Sequence, residues 1–314
     1  MLDNKEMRVV YIEEICKIAE KDNRIVLVDA DMSRSGGTEM FYKKFPDRAI
    51  NVGVAEANMI CVAAGLATLG KISFTNTFTP FASRRALDQV TISVAYTGLN
   101  VKMLGTDPGI CAEVNGGTHM SFEDVGVLRP IPGMVIFEPV DSEQLKKSIP
   151  QIISHNGPVY IRMYRKLAEK VYDDDCEFEL GKAITLREGR DATIIASGIM
   201  VKESLDAASI LEAEGISVRV INMHTIKPID EEAIILAANE TGAIVTAENH
   251  NIIGGLGSAV SEVLVEKSFA PMKRIGVTDH FGEVGKIPFL KEKYNMTAKD
   301  IVEAVKSVIK RKIN

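Results

Sequence analysis

No run of apolar residues in this sequence approaches membrane-spanning length, and its first residues lack the charged-then-apolar pattern of a signal peptide. A bilayer-embedded or exported protein is therefore not expected. Positive charge is also in deficit. The 37 Lys and Arg against 43 Asp and Glu leave a net charge of −6. Basic residues gather only at Lys306, Lys310, Arg311 and Lys312, the expected solvated end of a terminal helix. That balance argues against nonspecific nucleic-acid binding. Cysteine is sparse: Cys16, Cys61, Cys111 and Cys176 stand far apart with no metal-ligand spacing. They read as reduced thiols of a cytoplasmic protein, with no metal site of its own. Internal repeats and low-complexity segments are missing too. What remains, 46% hydrophobic and 25% charged residues over 314 positions, is an ordinary soluble chain long enough for two cores.

The pattern along the chain alternates helix and strand. Val9, Ile12, Ile15, Ile18 and Ala19 recur at helical spacing, and the run Ile25-Val26-Leu27-Val28 reads as a buried parallel strand. The polar loop Asp29-Ala30-Asp31-Met32-Ser33-Arg34-Ser35-Gly36-Gly37 follows, at the strand end where open α/β sheets bind ligands. Further strands are predicted near residues 72–75, 101–105, 134–137 and 159–163, with helices near 55–69, 83–96 and 142–154. The acidic, aperiodic stretch at 172–176 predicts a domain boundary. A shorter α/β series occupies the rest. The fold class expected is therefore α/β with two doubly wound domains, a parallel-sheet domain followed by a smaller mixed-sheet one, spanning 1–171 and 185–314 about a 172–184 linker. Gly254-Gly255-Leu256-Gly257-Ser258 precedes a helix but does not leave a strand directly, so a tight loop with an N-cap at Ser258 is expected over a dinucleotide site.

One stretch stands out chemically. Ile50-Asn51-Val52-Gly53-Val54-Ala55-Glu56-Ala57-Asn58-Met59-Ile60 sets a single carboxylate among apolar and small residues at a strand-to-helix junction. Met59, Ile60, Val62, Ala63 and Leu66 fall around the following helix, which predicts burial on every side. Glu56 then either complements the helix dipole or serves as a partly desolvated acid for proton transfer.

Several segments together resemble the C-terminal half of transketolase: Gly53 to Met59, Thr77-Phe78, Gly117-Thr118-His119 with Leu128-Arg129-Pro130-Ile131-Pro132-Gly133-Met134, Gly157-Pro158 followed by Arg165, and Glu248 to Gly257. The resemblance covers nearly the whole chain. It implies a pyrimidine-binding domain followed by a C-terminal domain, and the cofactor thiamine diphosphate. Glu56 falls on the glutamate that serves the aminopyrimidine ring, favouring the tautomer that removes the thiazolium C2 proton. Phe81 matches the aromatic that stacks on this ring, with Phe78 beside it and Asp31 as a further cofactor contact. Taken alone, either phenylalanine could be core filling. His119 falls on a histidine facing the sugar, and Arg8, Ser35 and Arg165 fall on positions that hold a sugar phosphate. Without the resemblance, Arg8 reads as a solvated helix residue, Arg165 as partner of an acid and His119 as a surface loop residue.

Departures qualify the substrate. Asn115 replaces a sugar-binding aspartate, and Asp107 or its neighbours replace a phosphate-holding histidine. No glycine-aspartate-glycine segment followed by paired asparagines, the family's metal-diphosphate signature, is found. The resemblance thus implies the small subunit of a two-chain transketolase of carbohydrate metabolism, as in the pentose phosphate pathway. Its partner, an N-terminal subunit of roughly 270 residues, would carry the diphosphate and Mg2+ or Ca2+ site. Self-association through the pyrimidine-binding domain would complete a heterotetramer. Alternatives are a beta-type subunit of a 2-oxoacid dehydrogenase, a deoxyxylulose phosphate synthase, which Arg85-Ala86-Leu87-Asp88-Gln89-Val90 resembles, and a noncatalytic scaffold.

Overall fold

The computed structural model, which describes residues 2–312, turns the short apolar runs into buried strands of two α/β units. One unit holds the chain up to Pro108 together with Val127–Leu180, and the other holds Gly109–Gly126 and the chain from Gly181 onward. The first carries six strands of one sheet: β1 (Ile25–Asp29), β2 (Ala49–Asn51), β3 (Ile72–Phe78), β4 (Val101–Thr106), β5 (Val135–Phe137) and β6 (Val159–Met163). They lie in the order β5-β6-β4-β3-β1-β2, and all their pairings are parallel. Every residue of β1 and β6 is buried, which is why these strands read as continuous apolar runs rather than alternating ones.

The direction of winding reverses at β1. The chain goes first to its outer neighbour β2, then crosses back to β3 and β4 on the other side. In open parallel sheets such a reversal opens a crevice at the carboxyl ends of the strands. The helix Met7–Ala19 packs Met7, Tyr11, Ile12, Ile15 and Cys16 into a core shared with Phe41, Phe74 and Ile149. Lys102, buried within β4, donates to the carbonyls of His155 (2.7 Å) and Gly157 (2.9 Å), closing the turn that follows helix Ser142–Ser154. Desolvation pushes its pKa down to about 7.

The second unit carries β7 (Ile184–Arg187), β8 (Ala192–Ala196), β9 (Val218–Asn222), β10 (Thr225–Lys227), β11 (Ile244–Asn251) and β12 (Met272–Val277). Five of them form a mixed sheet in the order β12-β11-β8-β9-β7, with β7 antiparallel to β9 and the rest parallel. The expected architecture, a larger parallel-rich sheet and a smaller mixed one, is found.

Three local expectations are corrected. The helix Glu56–Thr68 is not buried all round. It buries Glu56, Met59, Ile60, Ala63, Ala64 and Ala67 and exposes Asn58, Cys61, Gly65 and Thr68, because small residues satisfied the apolar pattern without needing cover. The single helix expected near 83–96 is broken into a 3-10 turn Arg84–Ala86, a short α-turn Leu87–Gln89 and a π-helical turn Val90–Ala95. Finally, Ser258 is not an N-cap. Helix Leu256–Lys267 starts earlier, and the buried Glu248 carboxylate accepts from the Leu256 N–H (2.7 Å) and the Gly257 N–H (2.9 Å). A Cβ on Gly255 would lie 2.0 Å from Glu248 Oε2, so the glycine admits a carboxylate of the chain itself.

Candidate active site

Apart from Arg8, every candidate in the first unit sits at or just beyond the carboxyl end of a parallel strand: Asp31 and Ser35 after β1, Glu56 after β2, Phe78 and Phe81 at the end of β3, Arg165 after β6. Asp107, the residue after β4, joins them. The parallel arrangement delivers them to one edge of the sheet, and side-chain contacts then link them in a row.

At one end of the row, Glu56 opens its helix with 4% exposure. Both carboxylate oxygens accept from Arg85 Nη1, at 3.0 and 2.9 Å. The Arg85 guanidinium lies over the Phe81 ring, 3.8 Å from its centroid, and the Phe81 and Phe78 rings meet edge to face at 6.2 Å. Arg165 lies over Phe78 at 5.0 Å. From there the row reaches Ser35, whose main-chain carbonyl accepts from Arg165 Nη1 (3.2 Å) and Arg8 Nη1 (2.8 Å). Two guanidiniums converge on one oxygen. Gly37, in the left-handed region at φ 82, ends the Ser33–Gly36 turn; a Cβ there would sit 3.2 Å from the Arg8 stem.

Each of these arginines is already paired. Arg8 meets Glu6, with Nε donating at 2.7 Å and Nη2 at 2.6 Å. Arg165 Nε lies 2.7 Å from Oδ2 of Asp107, a carboxylate only 1% exposed, whose Oδ1 accepts from the Arg165 main-chain N–H. Asp107, which the sequence marks as a departure from a phosphate-holding histidine, is the acid that holds Arg165.

The loop after β1 is fixed by polar bonds at its base. Asp29 accepts from Thr38 Oγ1 (2.5 Å) and Asn76 Nδ2 (2.8 Å). Burial pushes its carboxyl up to about 6 against the opposing pull of those two hydrogen bonds. Asn51 binds the main-chain N–H groups of Asp31 (3.0 Å) and Gly53 (2.9 Å) through one oxygen, and its amide donates to Asp31 Oδ1 at 3.3 Å. Asp31 is thus tied to the strand leading into Glu56.

Asn115 and His119 belong to the second unit. Asn115 is exposed at the end of a 3-10 segment, and half-buried His119 has its Nδ1 2.9 Å from Thr118 Oγ1 and donates its main-chain N–H to the Gly116 carbonyl. Arg85, Glu6 and Asn51 are not site candidates in the sequence, and Asp107 figures there only as a departure from the family pattern. The one available signal is the Arg85 to Val90 segment, because the pairings of Asn51, Arg85 and Asp107 cross 20, 29 and 58 residues and leave no local pattern. Among the described residues, no three His, Cys, Asp or Glu side chains are grouped to hold a metal ion, and no helix is long and apolar enough to cross a membrane.

The family model for the transketolase pyrimidine binding domain matches residues 3–170, and that for the transketolase C-terminal domain matches residues 181–301. The chain belongs to the transketolase family. This transketolase-family chain is 57% identical to a 6-deoxy-6-sulfo-D-fructose transketolase subunit of Clostridium sp. (strain MSTE9), over 99% of the chain and 97% of that protein. It is 40% identical to one of the subunits of an apulose-4-phosphate transketolase of Phocaeicola vulgatus, over 87% of each. Its fold matches a solved split-gene transketolase described as an inactive beta4 tetramer, with TM-score 0.90 and 43% identity, over 98% of this chain and 99% of that one. It therefore corresponds in length and domain order to the C-terminal subunit of a split transketolase.

Proposed function

We propose that this chain is the pyrimidine-side subunit of a thiamine diphosphate-dependent enzyme that moves a two-carbon ketol unit from an anion-tailed ketose to an aldose. The observation that carries this reading is the row from Glu56 through Phe81 and Phe78 to the paired Arg165 and Arg8. It joins a buried acid and an aromatic face to a guanidinium pair at one sheet edge. The pyrimidine end of the cofactor fits the donor set, since a flat group with hydrogen-bond donors is accommodated between Glu56 and Phe81. When bound, thiamine diphosphate supplies the carbon nucleophile that accepts and passes on the ketol unit. Glu56 would hold or move the proton at the pyrimidine ring nitrogen, Phe81 would orient the ring by stacking, and Phe78 would pack beside it. Asp31 would serve as a further cofactor contact, and Asn115 and His119 would face the sugar hydroxyls. The diphosphate and its divalent metal fall to a partner N-terminal subunit. In support, the solved split-gene relative is described as an inactive beta4 tetramer.

Charge narrows the substrate. Glu6 and Asp107 compensate Arg8 and Arg165, so the group carries no net charge before a ligand arrives. A phosphate brings about −1.5 to −2 at neutral pH. A sulfonate brings a single negative charge, which suits a compensated pair of forks better. We therefore place a sulfonated ketose of the 6-deoxy-6-sulfo-D-fructose type first and a sugar phosphate second. The test is steady-state kinetics of the assembled enzyme with Arg8→Ala and Arg165→Ala. Each should raise KM for the sulfonated ketose roughly tenfold or more, through loss of charge-assisted bonds remote from the reacting carbon, with cofactor affinity unchanged. An equal loss with a neutral ketose would contradict the assignment, and a preference for the phosphate ester would reverse the order of substrates.

A further inference from the structure

We infer that Arg85 is an internal stand-in for the aminopyrimidine ring, occupying the place between Glu56 and Phe81 until the cofactor displaces it. The inference rests on the functional reading above. A guanidinium is flat, delocalised and edged with N–H donors, as an aminopyrimidine is flat and carries an amino donor. Arg85 uses both properties at once: it donates to both Glu56 oxygens and lies 3.8 Å above the Phe81 ring centroid. A ring stacked on Phe81 and bonded to Glu56 would need the same space and partners.

The arrangement has a physical rationale. Glu56 is almost wholly buried, and a buried carboxylate without a partner is strongly destabilising. Arg85 supplies that partner. Yet Arg85 is itself 46% exposed, so its guanidinium returns to water at modest cost once another donor takes its place on Glu56. Its backbone stands in the 3-10 turn Arg84–Ala86, which follows a turn at Ser83 and leads into the short α-turn Leu87–Gln89, and 3-10 hydrogen-bond geometry is poorer than that of a continuous α-helix. Displacement therefore exchanges one planar donor for another and never leaves Glu56 bare. Cofactor entry is coupled to breaking the Arg85–Glu56 pair.

Arg85→Met keeps an apolar stem over Phe81 without the charge, and Arg85→Ala removes both. Binding of thiamine diphosphate with magnesium to the complex with the N-terminal subunit, followed by calorimetry and stopped-flow, should tighten and accelerate about five- to tenfold in both variants. That is the scale expected on removing a half-exposed ion pair and its cation–π contact. Circular dichroism matching the wild type, with an unfolding midpoint lowered by the unpartnered Glu56, would confirm that the fold is intact. Weaker or unchanged binding in both variants, with wild type binding normally, would make Arg85 a fixed positioning residue and overturn the inference. Failure of the wild-type complex to bind the cofactor at all would overturn the functional reading, and the inference with it.

Discussion

Glu56, Arg165 and Asp29 illustrate three outcomes at the scale of single residues. Glu56 was visible in the sequence because a lone acid among small and apolar residues is conspicuous, and its burial is found. Arg8, Ser35 and Arg165 were legible only through the family resemblance, yet they meet at one carbonyl. Asp107 reads in the sequence only as a departure from a motif, because its partner Arg165, 58 residues away, is invisible along the chain. Asp29 passed unnoticed in a polar loop, although it anchors that loop to Thr38 and Asn76. Its carboxyl is raised from 3.8 to about 6, mainly by burial. The folded chain then binds more protons than the unfolded one between those values. The group's contribution to stability is accordingly greatest in acid and is lost as pH rises through about 6. Linkage gives about 1.4 kcal/mol less stability at pH 7.5 than at pH 5 from this residue. Urea unfolding at the two pH values should show that difference shrinking in Asp29→Asn, and an identical pH response in variant and wild type would contradict it.

Helices and strands were largely legible where periodicity was strong and illegible where a distant side chain decides. Five of the six strands of the first unit, β1 and β3 to β6, are expected from the sequence, since strands buried on both faces have no alternation to misread, whereas β2 is short and part-exposed. The 83–96 segment has the composition of a helix, but nothing local predicts that it breaks into three kinds of turn. The start of helix Leu256–Lys267 was misplaced because its cap comes from Glu248, on β11, instead of from the expected Ser258. Glu248 satisfies two main-chain N–H groups at a helix N-terminus with a charged acceptor. Glu248→Ala should therefore lower stability by about 2 kcal/mol, the upper range for a lost cap. Denaturant midpoints would check this, and a loss within error of zero would mean that other groups satisfy those N–H donors.

At the scale of the whole molecule, we propose that the chain carries half of a reaction centre. Its sheet edge gathers an acid, an aromatic pair and two guanidiniums that share one carbonyl. We propose that activity belongs to an assembly with an N-terminal partner and that the chain alone is inactive. The most direct test is the rate of two-carbon transfer from 6-deoxy-6-sulfo-D-fructose by that assembly with Glu56→Gln, against wild type and against this chain alone. The account predicts turnover by the wild-type assembly, none by the lone chain, and a drop of about 10²- to 10⁴-fold in the variant with assembly intact. Near-normal turnover by the Glu56→Gln assembly, or turnover by the chain alone, would contradict it.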